Sequence, residues 1–172
     1  MKPTSQWRAH SVACARPARK HFSNKALAGR RSTAAKIVID LDPTHRVLRI
    51  TVMTALTDEA AKAIYQAVAG VASQGGPYAA ITDLSRVVDF PISADTIRTL
   101  AATASPIPLA GRTSVIVARQ PALFGLARMF EMHRESMGRE TKVVHSMGEA
   151  YDLLKVTSKD FTERLFPMDV AA

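Results

Sequence analysis

Cysteine occurs once in the 172 residues, as Cys14. A lone cysteine excludes an intramolecular disulfide and any zinc site built on paired thiolates, and it fits a reducing compartment. No apolar run approaches the ~18 residues that a membrane helix needs. The apolar piece Val12–Ala15 is too short for the core of a secretory signal, so a soluble, cytoplasmic domain is expected. Glycine-bearing chemical motifs are missing as well. There is no G-x-G-x-x-G, no G-x-x-x-x-G-K-[ST] and no G-x-S-x-G, which removes the common dinucleotide loop, phosphate loop and nucleophile elbow. The five histidines, His10, His21, His45, His133 and His145, are scattered, and none pairs in sequence with a second ligand at metal spacing. Asp83 and Asp89 could form a carboxylate pair, but no third group is positioned by the pattern. The expectation is a protein that is not an enzyme, with no metal and no cofactor.

Acidic residues are absent from residues 1–36, which hold nine Lys or Arg. That leaves 14 basic against 15 acidic residues in 37–172, so the net charge of +8 sits in the N-terminal segment and the rest is near neutral. Residues 1–35 mix Arg, Ser, Ala and Pro without apolar periodicity and read as a disordered basic tail. Three readings are open for it: an organelle transit peptide, a basic arm for nucleic acid or acidic lipid, or translated upstream sequence without a role, which is favoured. Nucleic-acid binding is expected only through this tail.

From residue 36 the pattern becomes regular. Lys36–Leu41 and Arg46–Met53 alternate apolar and polar residues around the turn Asp42-Pro43-Thr44-His45, predicting an antiparallel hairpin with one covered face. Thr57 followed by Asp58 and Glu59 is a helix start, and Gly75-Gly76-Pro77 is its stop. Tyr78–Leu84 is nearly all apolar, as in a strand covered on both faces. Ser93 opens a second helix that ends before Pro106 and Pro108. Thr113–Ala118 is another buried strand. Pro121 starts a longer helix with Leu123, Leu126, Ala127 and Phe130 on one face, and Gly138 follows it. Lys142–Val144 is a short strand, and Ser146-Met-Gly-Glu149 is a capping box before the last helix of the core. Lys159–Phe166 is expected to add a turn or two of amphipathic helix. The reading is an α/β domain over 36–166 with a mixed, mostly parallel sheet, about four helices and an N-terminal antiparallel hairpin at its edge. Residues 167–172 are expected to form a flexible C-terminus.

The stretch Phe90-Pro91-Ile92-Ser93-Ala94-Asp95 and the proline-started helix Gln120-Pro121-Ala122-Leu123-Phe124 with Arg128-Met129-Phe130-Glu131-Met132, taken with the element order, resemble a STAS-type domain. That is the fold of anti-sigma-factor antagonists and of the cytoplasmic tails of sulfate transporters. The resemblance covers about residues 36–156. In the family an Asp-Ser-Ser-Gly motif begins the helix and its first serine is phosphorylated by a partner kinase, which places Ser93 at that position here. Ile92 stands where the family has Asp, Ala94 where it has the second serine and Asp95 where it has glycine. The chain is therefore closer to the divergent STAS-like or lipid-carrier-like members.

Two functional expectations follow. The first is a regulatory interaction module that binds a partner protein, such as a kinase or an anti-sigma-factor-like regulator, through the Ser85–Ile97 edge. Ser85, Val88, Phe90, Ile92 and Asp95 would make the contact, and Ser93 would be the phosphorylation position. An apolar loop around Val87, Val88, Phe90 and Ile92 either forms such a patch or covers the end of the sheet. The second is a carrier or sensor of a small apolar or lipid-like ligand, with Phe124, Met129, Phe130 and Met132 around a pocket between helix and sheet.

Overall fold

The computed structural model describes residues 35–73, 78–104 and 113–170. The basic tail before Ala35, the Gly75-Gly76-Pro77 stop and the prolines at 106 and 108 lie outside these residues. In chain order the elements are β1 (Ala35–Asp42), β2 (Val47–Val52), α1 (Asp58–Ala72), β3 (Ala79–Asp83), α2 (Ala94–Ala102), β4 (Ser114–Val117), α3 (Pro121–Glu135), β5 (Thr141–Val144), α4 (Met147–Leu154), a 3-10 turn (Ser158–Asp160) and β6 (Glu163–Val170).

The six strands form one mixed sheet in the order β5-β4-β3-β2-β1-β6. Strands β2 to β5 are parallel, while β1 is antiparallel to both β2 and β6. Each parallel pair is joined through a helix, as a parallel connection requires. Two expectations are corrected here. The hairpin does not end the sheet, because β6 pairs along the outer side of β1. The segment expected as amphipathic helix over 159–166 is instead a single 3-10 turn followed by strand, and the strand continues through Val170 into the stretch expected to be flexible. The physical reason is β1: an open strand edge next to an apolar face offers backbone partners that a short helix could not supply.

The sheet is covered on both faces. On one, Ile37, Ile39, Leu48, Ile50 and Val52 pack with Ala60, Ile64 and Val68 of α1 and with Leu123 and Ala127 of α3. On the other, Val47, Ala79, Ile81, Val115 and Val117 pack with Ala150 of α4 and with Val156. The near-continuous apolar run of β3 follows from this double burial. That second face also carries a polar tie. Arg49 donates from Nη2 to Asp40 Oδ2 at 2.8 Å and from Nη1 to the Tyr151 hydroxyl at 2.9 Å. Its guanidinium lies 4.4 Å from the Phe161 ring centre. Burial acts to lower the pKa of Arg49, but the bonds to Asp40 and Tyr151 outweigh it and leave it raised.

Helix starts follow the capping residues. Thr57, Ser93 and Ser146 accept from Ala60, Thr96 and Glu149 N–H respectively. Pro121 begins α3. Gly138 takes φ +70° just after α3, where its lack of a Cβ makes the turn cheap.

Candidate functional site

Two readings are open for the apolar β3–α2 connection, a surface patch or a cover for the end of the sheet, and most of the loop is turned inward. Val87 is fully buried, and Phe90 packs half-buried against the core. The Val87 carbonyl accepts from Gln120 Nε2 at 2.6 Å, which fastens the loop to the start of α3. Ile92 is half-buried in a cavity wall. Val88, 82% exposed, is the large apolar residue of this loop left at the surface. Ser85 donates its N–H to Asp83 Oδ1, forming a local turn. Asp95 is exposed and pairs with Arg98, and Asp89 is exposed with its carbonyl accepting from Leu56 N–H.

Ser93 is an N-cap, a role worth ~1 kcal/mol over alanine. Its own N–H donates to Asp58 Oδ1 at 2.6 Å, which links the starts of α1 and α2. This bond holds the Asp58 carboxyl below its ordinary pKa. A carboxylate depressed in the folded state stabilises the fold above the unfolded pKa, near pH 4, and that stability is lost as pH falls through the folded value. We therefore expect Asp58→Asn to show a smaller fall in Tm between pH 6 and pH 3 than the wild-type chain. Equal falls would show that the link is not electrostatic.

Asp42, His45 and Asp160 bring ligand atoms within 4.8 Å of one another, a grouping not visible in the sequence because Asp160 is remote from the turn. The geometry has a structural purpose. The buried Asp42 carboxylate accepts from Thr44 N–H, His45 N–H and His45 Nδ1, and Asp160 accepts from Thr157 N–H. The cluster closes two turns against each other.

A cavity of about 180 Å³ lies between the first sheet face and helices α1, α2 and α3. Its floor follows the strand register. Ile50, Thr82 and Ile116 lie in one cross-strand row, and Ser114 and Thr141 lie side by side in the row nearer the strand starts. Leu56, Ile64, Ile97, Leu123, Ala127 and Phe130 are part of the apolar wall. Of the residues expected to line a ligand pocket, Phe130 does. Phe124 is instead stacked on His145, ring centres 3.9 Å apart, while Met129 is outside the wall and Met132 is 64% exposed.

The cavity also has a polar end that the sequence reading missed. Arg134, only 2% exposed, and Thr141, 1% exposed, both line it. Arg134 Nε and Thr141 Oγ1 are buried without a hydrogen-bond partner among the described residues. Tyr65 is in the same wall, its hydroxyl donating to the Ala104 carbonyl at 2.6 Å. Burial lowers the pKa of Arg134, with Tyr65 opposing that shift and the nearby Arg139 cation adding to it. Crossover helices run opposite to the parallel strands, so the last turn of α3 and the first residue of β5 meet at this end. A signal was present: Arg134 lies seven residues after Ala127 and four after Phe130, on the buried stripe of α3. No helix among the described residues is long and apolar enough to cross a membrane. No protein-family model matches the chain, and no curated protein matches it.

Proposed function

We propose that the domain binds a small apolar molecule in the cavity between its sheet and helices α1, α2 and α3, as a carrier or sensor. The observation that carries this reading is the cavity itself, about 180 Å³ against the main apolar core. Protein interiors pack with few voids larger than a water molecule, and an apolar cavity of roughly 150 Å³ is enough to take up benzene. The resemblance to lipid-carrier-like members of the STAS group agrees with the reading. Fluorine NMR with 4-fluorotoluene tests it. The wild-type chain is expected to shift or broaden the probe resonance, and Ala127→Leu, which places its side chain in the cavity, is expected to abolish the effect with little loss of Tm. Absence of binding by the wild type, or equal binding by Ala127→Leu, overturns the reading.

A second reading, a regulatory contact with a partner protein at the β3–α2 edge, is supported by Val88 standing exposed at its tip. Phosphorylation of Ser93 would belong to this reading, and the phosphate would meet the Asp58 carboxylate that takes the Ser93 N–H. Fragmentation mass spectrometry of the protein from its native source decides that part. A phosphate on Ser93 supports it, and an unmodified Ser93 across growth conditions overturns it.

A further inference from the structure

We infer that the ligand of this cavity is a small organic acid, its carboxylate held by Arg134 and Thr141 and its apolar body lying along the sheet toward Leu123 and Ile97. The inference rests on the cavity reading and goes beyond it by assigning the ligand's charge, size and orientation.

The buried cation is the starting point. A guanidinium remains charged at any ordinary pH, and burying a charge is costly unless it is paired and hydrogen-bonded. Among the described residues no carboxylate pairs with Arg134. Glu131, the buried acid one turn back, is taken by Arg128, and Glu135 pairs with Lys142. Apart from the neighbouring Tyr65 hydroxyl, to which it hydrogen-bonds, the contacts that Arg134 makes are weak. Its Nη1 lies 3.5 Å from the Thr103 carbonyl and its guanidinium 5.8 Å from the Phe130 ring centre.

Capping the end of α2 does not account for the residue. The Thr103 carbonyl already accepts from Arg139 Nη1, and the Ala104 carbonyl accepts from Tyr65. The Nε of Arg134 is left over, with a second unpartnered donor, the Thr141 hydroxyl, in the same cavity wall. Two donors unpartnered among the described residues, one of them cationic, beside a second cation at Arg139, match an anion that accepts several hydrogen bonds. A planar carboxylate fits one edge of a guanidinium.

Size sets the rest. Pockets for drug-sized ligands run to roughly 300–1,000 Å³, and this cavity is smaller. It takes a ring or short aliphatic chain with one acidic head, an arylacetic or short fatty acid. The polar groups gather at the strand starts while the opposite end is lined by Leu56, Leu84 and Ile92, so the cavity is amphipathic along its length.

The test compares 4-fluorophenylacetate with 4-fluorotoluene by fluorine NMR at pH 7. The wild-type chain is expected to bind the acid about tenfold more tightly, or better. Arg134→Met is expected to erase that preference while 4-fluorotoluene still binds. Thr141→Val, nearly isosteric, is expected to weaken the acid about threefold or more and leave 4-fluorotoluene unchanged, and it serves as the arm that does not disturb a buried charge. If 4-fluorotoluene binds and the acid binds no better, the anion site is overturned and the cavity reading stands. If neither probe binds, both are overturned. If the preference survives in both Arg134→Met and Thr141→Val, the carboxylate is held elsewhere and the assignment falls.

Discussion

A chain ended after Thr162 is expected to lose most of its stability. β6 contributes the outer partner of β1 along nearly its whole length, from Ala35 opposite Val170 to Leu41 opposite Glu163, with one irregularity between Ile39 and Asp40. Each backbone hydrogen bond contributes ~0.5–1.5 kcal/mol net, and half-buried Leu165, packed against the core, adds ~1 kcal/mol or more. The total is on the order of 5 kcal/mol, comparable with the whole stability of a typical domain at ~5–15 kcal/mol. The truncated chain would also expose an edge strand next to Ile37 and Ile39, a template for pairing with other copies. Denaturant unfolding followed by circular dichroism, with size-exclusion chromatography, checks both effects. A truncated monomer with the midpoint of the full chain would show that β6 adds nothing to the sheet.

Arg49→Met is expected to cost about 2–3 kcal/mol. The substitution removes the guanidinium that donates to Oδ2 of the buried Asp40, a charge-assisted bond. It also removes the donor to Tyr151 and the stacking over Phe161. Adding Asp40→Leu to the same chain is expected to recover most of the loss, because a buried ion pair replaced by apolar groups of similar volume is often neutral or better. A double-mutant cycle on urea midpoints measures the coupling. Additive costs would mean that the pair is screened and contributes only as a surface ion pair would.

The elements that local chemistry specifies were legible. Alternation gave β1 and β2, and unbroken apolar runs gave β3 and β4. Thr57, Ser93, Pro121 and Ser146 marked helix starts. What depends on remote partners was not legible. The segment 163–170 holds Pro167 and lacks clean alternation, so nothing within it signals a strand. It becomes one because β1 offers an edge and because an edge strand tolerates proline. The site divides the same way. Phe130, on the α3 stripe, lines the cavity. Phe124 and Met129, apolar neighbours in sequence, point away from the cavity because helical spacing turns them off that stripe. Arg134 sits on the stripe, but a charged residue near a helix end reads as solvated until the packing around it is seen. Likewise, Ser93 and the Ser85–Ile97 edge read from the sequence as a strand-to-helix junction, whereas the donors left unpartnered among the described residues lie at the other end of the sheet.

Because β1 lies between β2 and β6, the first strand to be synthesised keeps one side open until the last has left the ribosome. About 120 residues separate the two, and at ~5–20 residues per second this is on the order of ten seconds. The parallel half of the sheet can form as its helices emerge, but the β1–β6 pairing waits for β6 to emerge as well. Until β6 emerges, the nascent chain relies on its surroundings to keep that open side from meeting another.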